Sequence, residues 1–118
     1  MNRIEIEVLH PQAALEAFAE TWRLAEQGEL PTPRLAFGSI GELFSAITGK
    51  RLELIRFVAA KEGLNTRQIA HELRRDYKNV YTDVRELTEL GLLAKDEKGR
   101  LSAPYDEIVI HASLRDAA

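Results

Sequence analysis

The stretch Thr66–Leu93, TRQIAHELRRDYKNVYTDVRELTELGLL, gathers the residues whose types and spacing suit the holding of a polyanion. Arg74, Arg75, Lys78 and Arg85 lie around a turn between two predicted helices and at the start of the second. Stepping about 100° per residue from Val80, the core side of that second helix holds Val84 and Leu87, with Tyr77 at its margin. The opposite side holds Lys78, Thr82 and Arg85, flanked by Asn79, Tyr81 and Glu86. Arginine and lysine can donate to guanine, and asparagine can pair with adenine. A recognition helix places its N-terminal turns in the major groove. Arg74 and Arg75 fall where a strand of phosphates would pass. Lys95, Lys98 and Arg100 sit in a predicted hairpin, where a wing tip would meet phosphates or the minor groove. Glu86 and Glu89 repel phosphate, so contact is expected to stop near Arg85. Any surface helix shows a charged outer face, so the rest of the chain has to support this reading.

Other chemistry is thinly represented. His10, His71 and His111 are scattered without metal-ligand spacing. The chain has no cysteine, which excludes disulfides and thiolate metal sites. No nucleophile elbow, phosphate-binding loop or dinucleotide fingerprint occurs. Glu5 and Glu7 share a strand face and resemble a carboxylate pair, but an exposed strand edge explains them better. Phe18 and Trp22 at helical spacing read as core rather than as a ligand cage. Neither an enzyme nor a cofactor is expected.

The elements that must carry the basic residues follow from periodicity. Ile4, Ile6 and Val8 alternate with charged residues, the pattern of a half-buried strand. Pro11 opens a helix to about Gln27, with Gly28 as its stop. Leu15, Phe18, Trp22 and Ala25 form one apolar stripe on it, expected to pack inward. Ala13, Ala17 and Leu24 form a second, nearly opposite, expected to face out and to bind a partner. A short strand is expected at Arg34–Phe37. Ser39 and Glu42 form a capping box for a short helix with Leu43, Phe44 and Ile47. Thr48 caps the next helix, apolar on two sides and therefore central, and Gly63 closes it. Asn65 or Thr66 caps the following helix, Asp76 the one after, and Gly91 ends it. Strands near Leu92–Lys95 and Arg100–Ala103 form a hairpin with Gly99 at its left-handed turn position. A last strand, DEIVIHASL, is the best pairing partner for the first.

The net charge of −3 is unevenly spread. Residues 1–47 carry three basic and seven acidic side chains, residues 48–103 twelve and nine, and residues 104–118 one and three. Nucleic acid responds to the local field rather than to the sum, and the basic block coincides with the helix pair.

Helix, helix, turn, helix and hairpin is the order of a winged helix-turn-helix. The segment from Lys50 to Ile110, above all RDYKNVYTDVRELTELGLL and the later PYDEI, resembles a family of predicted bacterial and archaeal transcriptional regulators with a MarR-like winged helix. ALEAFAETWRLAEQGE and FGSIGELFSAIT extend the resemblance over nearly the whole chain, more weakly in the first 38 residues. It implies recognition residues at Tyr77, Lys78, Asn79, Thr82 and Arg85, and an antitoxin role of the TumA type beside a small toxin. Where that family often has glycine in the turn, this chain has Arg74.

The expected fold is therefore α+β, a winged helix-turn-helix in residues 48–118 with its C-terminal strand, preceded by a strand–helix extension in residues 1–47. The expected function is sequence-specific binding of operator DNA as the antitoxin and autorepressor of a toxin–antitoxin operon. The alternatives are a regulator without a toxin and a winged-helix module that binds only protein. Double-stranded DNA, a second copy of the chain and a cognate toxin are the expected partners. No run approaches the roughly 20 apolar residues of a membrane span, and a cytoplasmic location is expected.

Overall fold

The computed structural model describes residues 2–9, 11–28 and 32–115. These form an α+β structure of five helices, a three-stranded parallel sheet and a two-stranded antiparallel one. The chain divides into two compact units, Met1–Ala46 with Glu107–Ala118, and Ile47–Asp106. The C-terminal strand, expected to go with residues 48–118, thus belongs with the N-terminal segment. The reason is its backbone pairing.

In the first unit, β1 (Arg3–Val8) is the central strand, with β2 (Arg34–Phe37) on one side and β5 (Glu107–His111) on the other. Both pairings are parallel, with Ile6 opposite Leu35 and opposite Ile110. The strand alternation gives the sheet one apolar face, where Ile4 and Ile6 are buried. Its other face carries Glu5 and Glu7, whose carboxylates lie 3.6 and 3.8 Å from the Arg34 guanidinium. An exposed strand edge was the wrong explanation for these two acids. They sit on the middle strand, about one-fifth exposed, and a cross-strand arginine accounts for them.

Helix α1 (Pro11–Glu26) connects β1 to β2, and α2 (Ile40–Ala46) follows β2. Ser39 accepts from the Glu42 amide at 3.1 Å, and the Glu42 carboxylate returns to the amide of Gly38 at 3.0 Å. Leu43 is the buried anchor of α2. The orientation of α1 is the reverse of expectation. Leu15, Phe18 and Trp22 are 66, 63 and 58% exposed, whereas Ala13, Ala17 and Leu24 form its half-buried side. The inner face of this helix thus takes small residues, and the large ones stand outside.

In the second unit, α3 (Gly49–Ala60), α4 (Thr66–Leu73) and α5 (Tyr77–Glu89) precede a hairpin of β3 (Ala94–Lys95) and β4 (Leu101–Ser102). The hairpin strands are shorter than expected. Leu54, Ile55 and Val58 from α3, Ile69 and Ala70 from α4, and Val80, Val84 and Leu87 from α5 are buried, with Leu92, Leu93 and Leu101. Leu101 also joins the α3–α4 connection: its amide donates to Leu64 at 2.8 Å and its carbonyl accepts from Gly63 at 2.9 Å. This backbone pairing ties the hairpin to the helices. The helix starts are capped as read from sequence. Thr48 accepts from the Arg51 amide at 3.2 Å, Asn65 and Gln68 form a reciprocal capping box, and Asp76 accepts from Asn79 at 3.4 Å.

Candidate nucleic-acid interface

The link between α4 and α5 is only Arg74, Arg75 and Asp76. Helix α4 ends when Arg74 enters the left-handed region, φ 54° and ψ 46°. It is the one non-glycine residue with positive φ among the described residues. The Arg75 amide then reaches back to the Ala70 carbonyl at 3.0 Å, and the Arg74 amide to His71 at 3.2 Å. This is the closing pattern that glycine usually serves at a helix end. An L side chain there is strained by roughly 1–2 kcal/mol. The turn that glycine would make easily is thus made by arginine, which leaves an exposed cation at the corner.

Helix α5 is tied to α3 and to the preceding turn by a partly buried charge cluster that the sequence does not reveal. Asp83 accepts from Arg51 Nε at 3.0 Å through one carboxylate oxygen and from Arg75 Nη2 at 2.7 Å through the other. Arg51, on α3, also donates to Glu86. Arg51 is 8% exposed. Burial disfavours its charge, but the hydrogen bonds and charges of Asp83 and Glu86 outweigh that, and its pKa is raised above the ordinary value. A guanidinium so placed is a permanent cation, held where its two acids are. The signal in the sequence was present but weak. Asp83 and Glu86 are spaced i, i+3 on one face, but nothing local shows that Arg51, more than thirty residues earlier, meets them.

Arg75 is engaged within the protein rather than projecting freely from the turn. Its side chain is 18% exposed and bonded to Asp83, and its Nη1 is buried without a protein partner. Glu86 is likewise paired, with Arg51, although its side chain stays 40% exposed. The remaining predicted residues of α5 come together on its outer side. Tyr77, Lys78, Asn79, Tyr81 and Arg85 are exposed, and Thr82 is half-buried with its hydroxyl donated to the Lys78 carbonyl at 3.1 Å. Among the described residues no ion pair engages Arg74 or Lys78, and Arg85 has only a 3.9 Å approach to Glu86. Arg67, on the first turn of α4, was also missed. Its guanidinium lies 4.3 Å from the Tyr77 ring centre, and the Tyr77 and Tyr81 rings are 6.1 Å apart. A cation and two rings thus continue along the helix flank.

The hairpin tip is less basic than its sequence implies. Asp96 Oδ1 accepts from the amides of Lys98 and Arg100, each at 2.9 Å, and Oδ2 accepts from Arg100 Nε at 2.8 Å. These bonds, the Arg100 amide foremost, hold the Asp96 carboxyl below its ordinary pKa. Gly99 takes the left-handed position, φ 78°. Arg100 is neutralised locally, and Lys98 remains as the exposed cation of the tip itself.

Among the described residues no group of three or more His, Asp or Glu side chains is placed to hold a metal ion, and no helix is long and apolar enough to cross a membrane. His10 lies outside the described residues.

The site and its frame thus define an α+β protein whose second unit presents a polar, cationic helix face. The model of the family HVO_A0114 matches residues 46–110, more than half of the chain, and the chain belongs to that family. No curated protein and no solved structure matches it.

Proposed function

We propose that this protein is a sequence-specific DNA-binding transcriptional regulator. Helices α3–α5 and the β3–β4 hairpin serve as its winged helix-turn-helix, and α5 is the element that enters the major groove. The observation that carries this reading is the segregation of charge on α5. Its inner acids, Asp83 and Glu86, are held by Arg51 and Arg75. Its outer face is left with Lys78, Asn79, Tyr81 and Arg85 exposed. A helix that merely needed solubility has no reason to draw two of its three carboxylates inward and leave its cations outside; the third, Glu89, is exposed one turn beyond Arg85, where contact would end. Phosphates would be met by Arg74, Arg67 and Lys98, and base edges by Lys78, Asn79 and Arg85. The reading involves no catalytic step and no cofactor, and it places the protein in the cytoplasm with DNA.

The test is fluorescence anisotropy with the DNA upstream of the protein's own gene, against scrambled DNA, across a salt series. Sequence-preferring binding with a steep salt dependence supports the reading. Equal affinity for both DNAs, or none at low salt, refutes it.

The resemblance noted in the sequence adds a second role, antitoxin and autorepressor of a toxin–antitoxin operon. One structural feature favours a protein partner: seven of the nine exposed large hydrophobic side chains among the described residues belong to the first unit, and the other two, Tyr77 and Tyr81, to α5. Co-expression with the product of the adjacent gene, followed by size-exclusion chromatography, decides whether a toxin is bound.

A further inference from the structure

The outer face of α1 is an unpartnered apolar stripe. Leu15, Phe18 and Trp22 lie within about 60° of one another around the helix, and each is more than half exposed. Phe18 and Trp22 are already packed edge to face, ring centres 6.5 Å apart. The opposite side of α1 is half-buried, so this helix is apolar on both sides, as helices between two layers are. Only one of those layers is present. The unit itself has a small interior: Ile4, Ile6 and Leu43 are its buried hydrophobic residues among those described.

We propose that the missing layer is a second copy of this chain, docked through α1 antiparallel to its counterpart. The charge pattern of the helix selects this occupant. The first turn of α1 carries no acidic residue, and Gln12 and Ala13 present backbone N–H groups that have no acceptor within the helix. The last turn carries Arg23, which is paired with Glu20, and Glu26, which lies on the same side as the stripe and opposes its own helix dipole. In an antiparallel pair that sets Leu15 of one copy against Trp22 of the other, the two-fold axis falls between Phe18 and Ala19. The same register places Glu26 of each copy beside the N-terminal turn of the other. An acid that is misplaced in the monomer becomes complementary in the dimer, twice over by symmetry. Thr21 and Ala25 on one flank of the stripe are small enough to allow close approach. The three stripe side chains expose on the order of 350 Å² per copy. With the flanking residues, two copies reach the roughly 1,000 Å² that a specific interface requires.

This inference does not depend on DNA binding, and it is tested without DNA. Trp22 is the only tryptophan, so its emission reports directly on the stripe. Analytical ultracentrifugation of the full chain should show a dimer, with Trp22 emission shifting to the red as dilution dissociates it. Leu15→Gln with Phe18→Gln retains good helix formers and keeps Trp22 as the probe. It should raise the dimer Kd on the order of 100-fold while circular dichroism shows the same helix content. Glu26→Lys gives the opposite sign from a local effect. It removes an acid from the end of its own helix and should slightly stabilise the dissociated chain, measured at concentrations below the dimer Kd, yet weaken the dimer roughly 3- to 30-fold. If the glutamine variant does not fold, Glu26→Lys alone decides the matter. The proposal is overturned if the wild-type chain sediments as a monomer with concentration-independent Trp22 emission, including a monomer that takes up another protein on this face. It is overturned equally if Glu26→Lys stabilises the fold and leaves association unchanged.

Discussion

Asp83 bonds Arg75 at 2.7 Å while its other oxygen holds Arg51. One carboxylate on α5 therefore fixes both the turn before that helix and the helix behind it. Removing it would leave two partly buried guanidinium groups facing each other. Arg51 keeps Glu86, so the stranded charge is mainly that of Arg75, and Asp83→Ala should destabilise the fold by about 1–3 kcal/mol, as read by urea denaturation. Arg75→Met should be milder, because it also removes the buried, unpartnered Nη1. Equal, small losses in both variants would show that the cluster does not tie α5 in place.

Arg74 tests the turn and the interface together. Arg74→Gly relieves a left-handed conformation worth roughly 1–2 kcal/mol, offset by up to about 1 kcal/mol of added unfolded-state entropy. The expected result is stability equal to or slightly above wild type, with weaker DNA binding and a salt slope lower by about 0.9, one phosphate contact. Arg74→Ala should weaken DNA binding as much but lower stability relative to the glycine variant. An unchanged salt slope in both would take Arg74 off the DNA.

Much of this fold was legible because its signals are local. The capping residues Thr48, Asn65 and Asp76, the stop at Gly91 and the alternation of β1 each act within a few residues, and each lies where it was read. The α1 faces were misread because both stripes are apolar, and periodicity locates stripes without ranking them. Size favoured Leu15, Phe18 and Trp22 for the interior, but the half-buried side took Ala13 and Ala17. The Arg51–Asp83–Arg75 cluster was illegible for a different reason. A charged residue reads as solvated unless its distant partners are known, so neither the Arg75–Asp83 pair nor the role of Arg51 is visible in the sequence. The outer face of α5 was readable because Val80, Val84 and Leu87 fix its inner one.

Lys78 and Arg85 stand on that outer face, away from the core. Substituting either by alanine should leave the unfolding free energy within about 0.5 kcal/mol of wild type. A base contact would cost about 1–3 kcal/mol of binding and relax sequence preference. A phosphate contact would weaken all sequences alike and reduce the salt slope by about 0.9. Unchanged binding in both variants, measured by anisotropy on specific and scrambled DNA, would remove α5 from the groove.

The hairpin tip makes a pH-dependent prediction. The folded-state pKa of Asp96 is depressed, so its contribution to the tip is present above the ordinary carboxylate value and is lost as pH falls through the folded one. Protection of the Lys98 and Arg100 amides, which donate to Asp96, relative to their intrinsic exchange rate at the same pH, should therefore fall below about pH 4, beyond the change seen for Leu101, whose amide is bonded to Leu64 instead. The same arrangement separates the two basic residues of the tip. Arg100 is engaged by Asp96 and Lys98 is not, so Lys98→Ala should weaken DNA binding while leaving the turn intact. Arg100→Ala should loosen the turn and weaken binding only as far as the tip becomes disordered. Asp96→Asn at neutral pH should mimic the acid state in the exchange measurement. If it raises affinity for DNA as well, Arg100 freed from its carboxylate reaches a phosphate, and Asp96 then limits how tightly the tip can hold. If Lys98→Ala and Asp96→Asn both leave affinity unchanged, the hairpin is a structural turn with no part in binding.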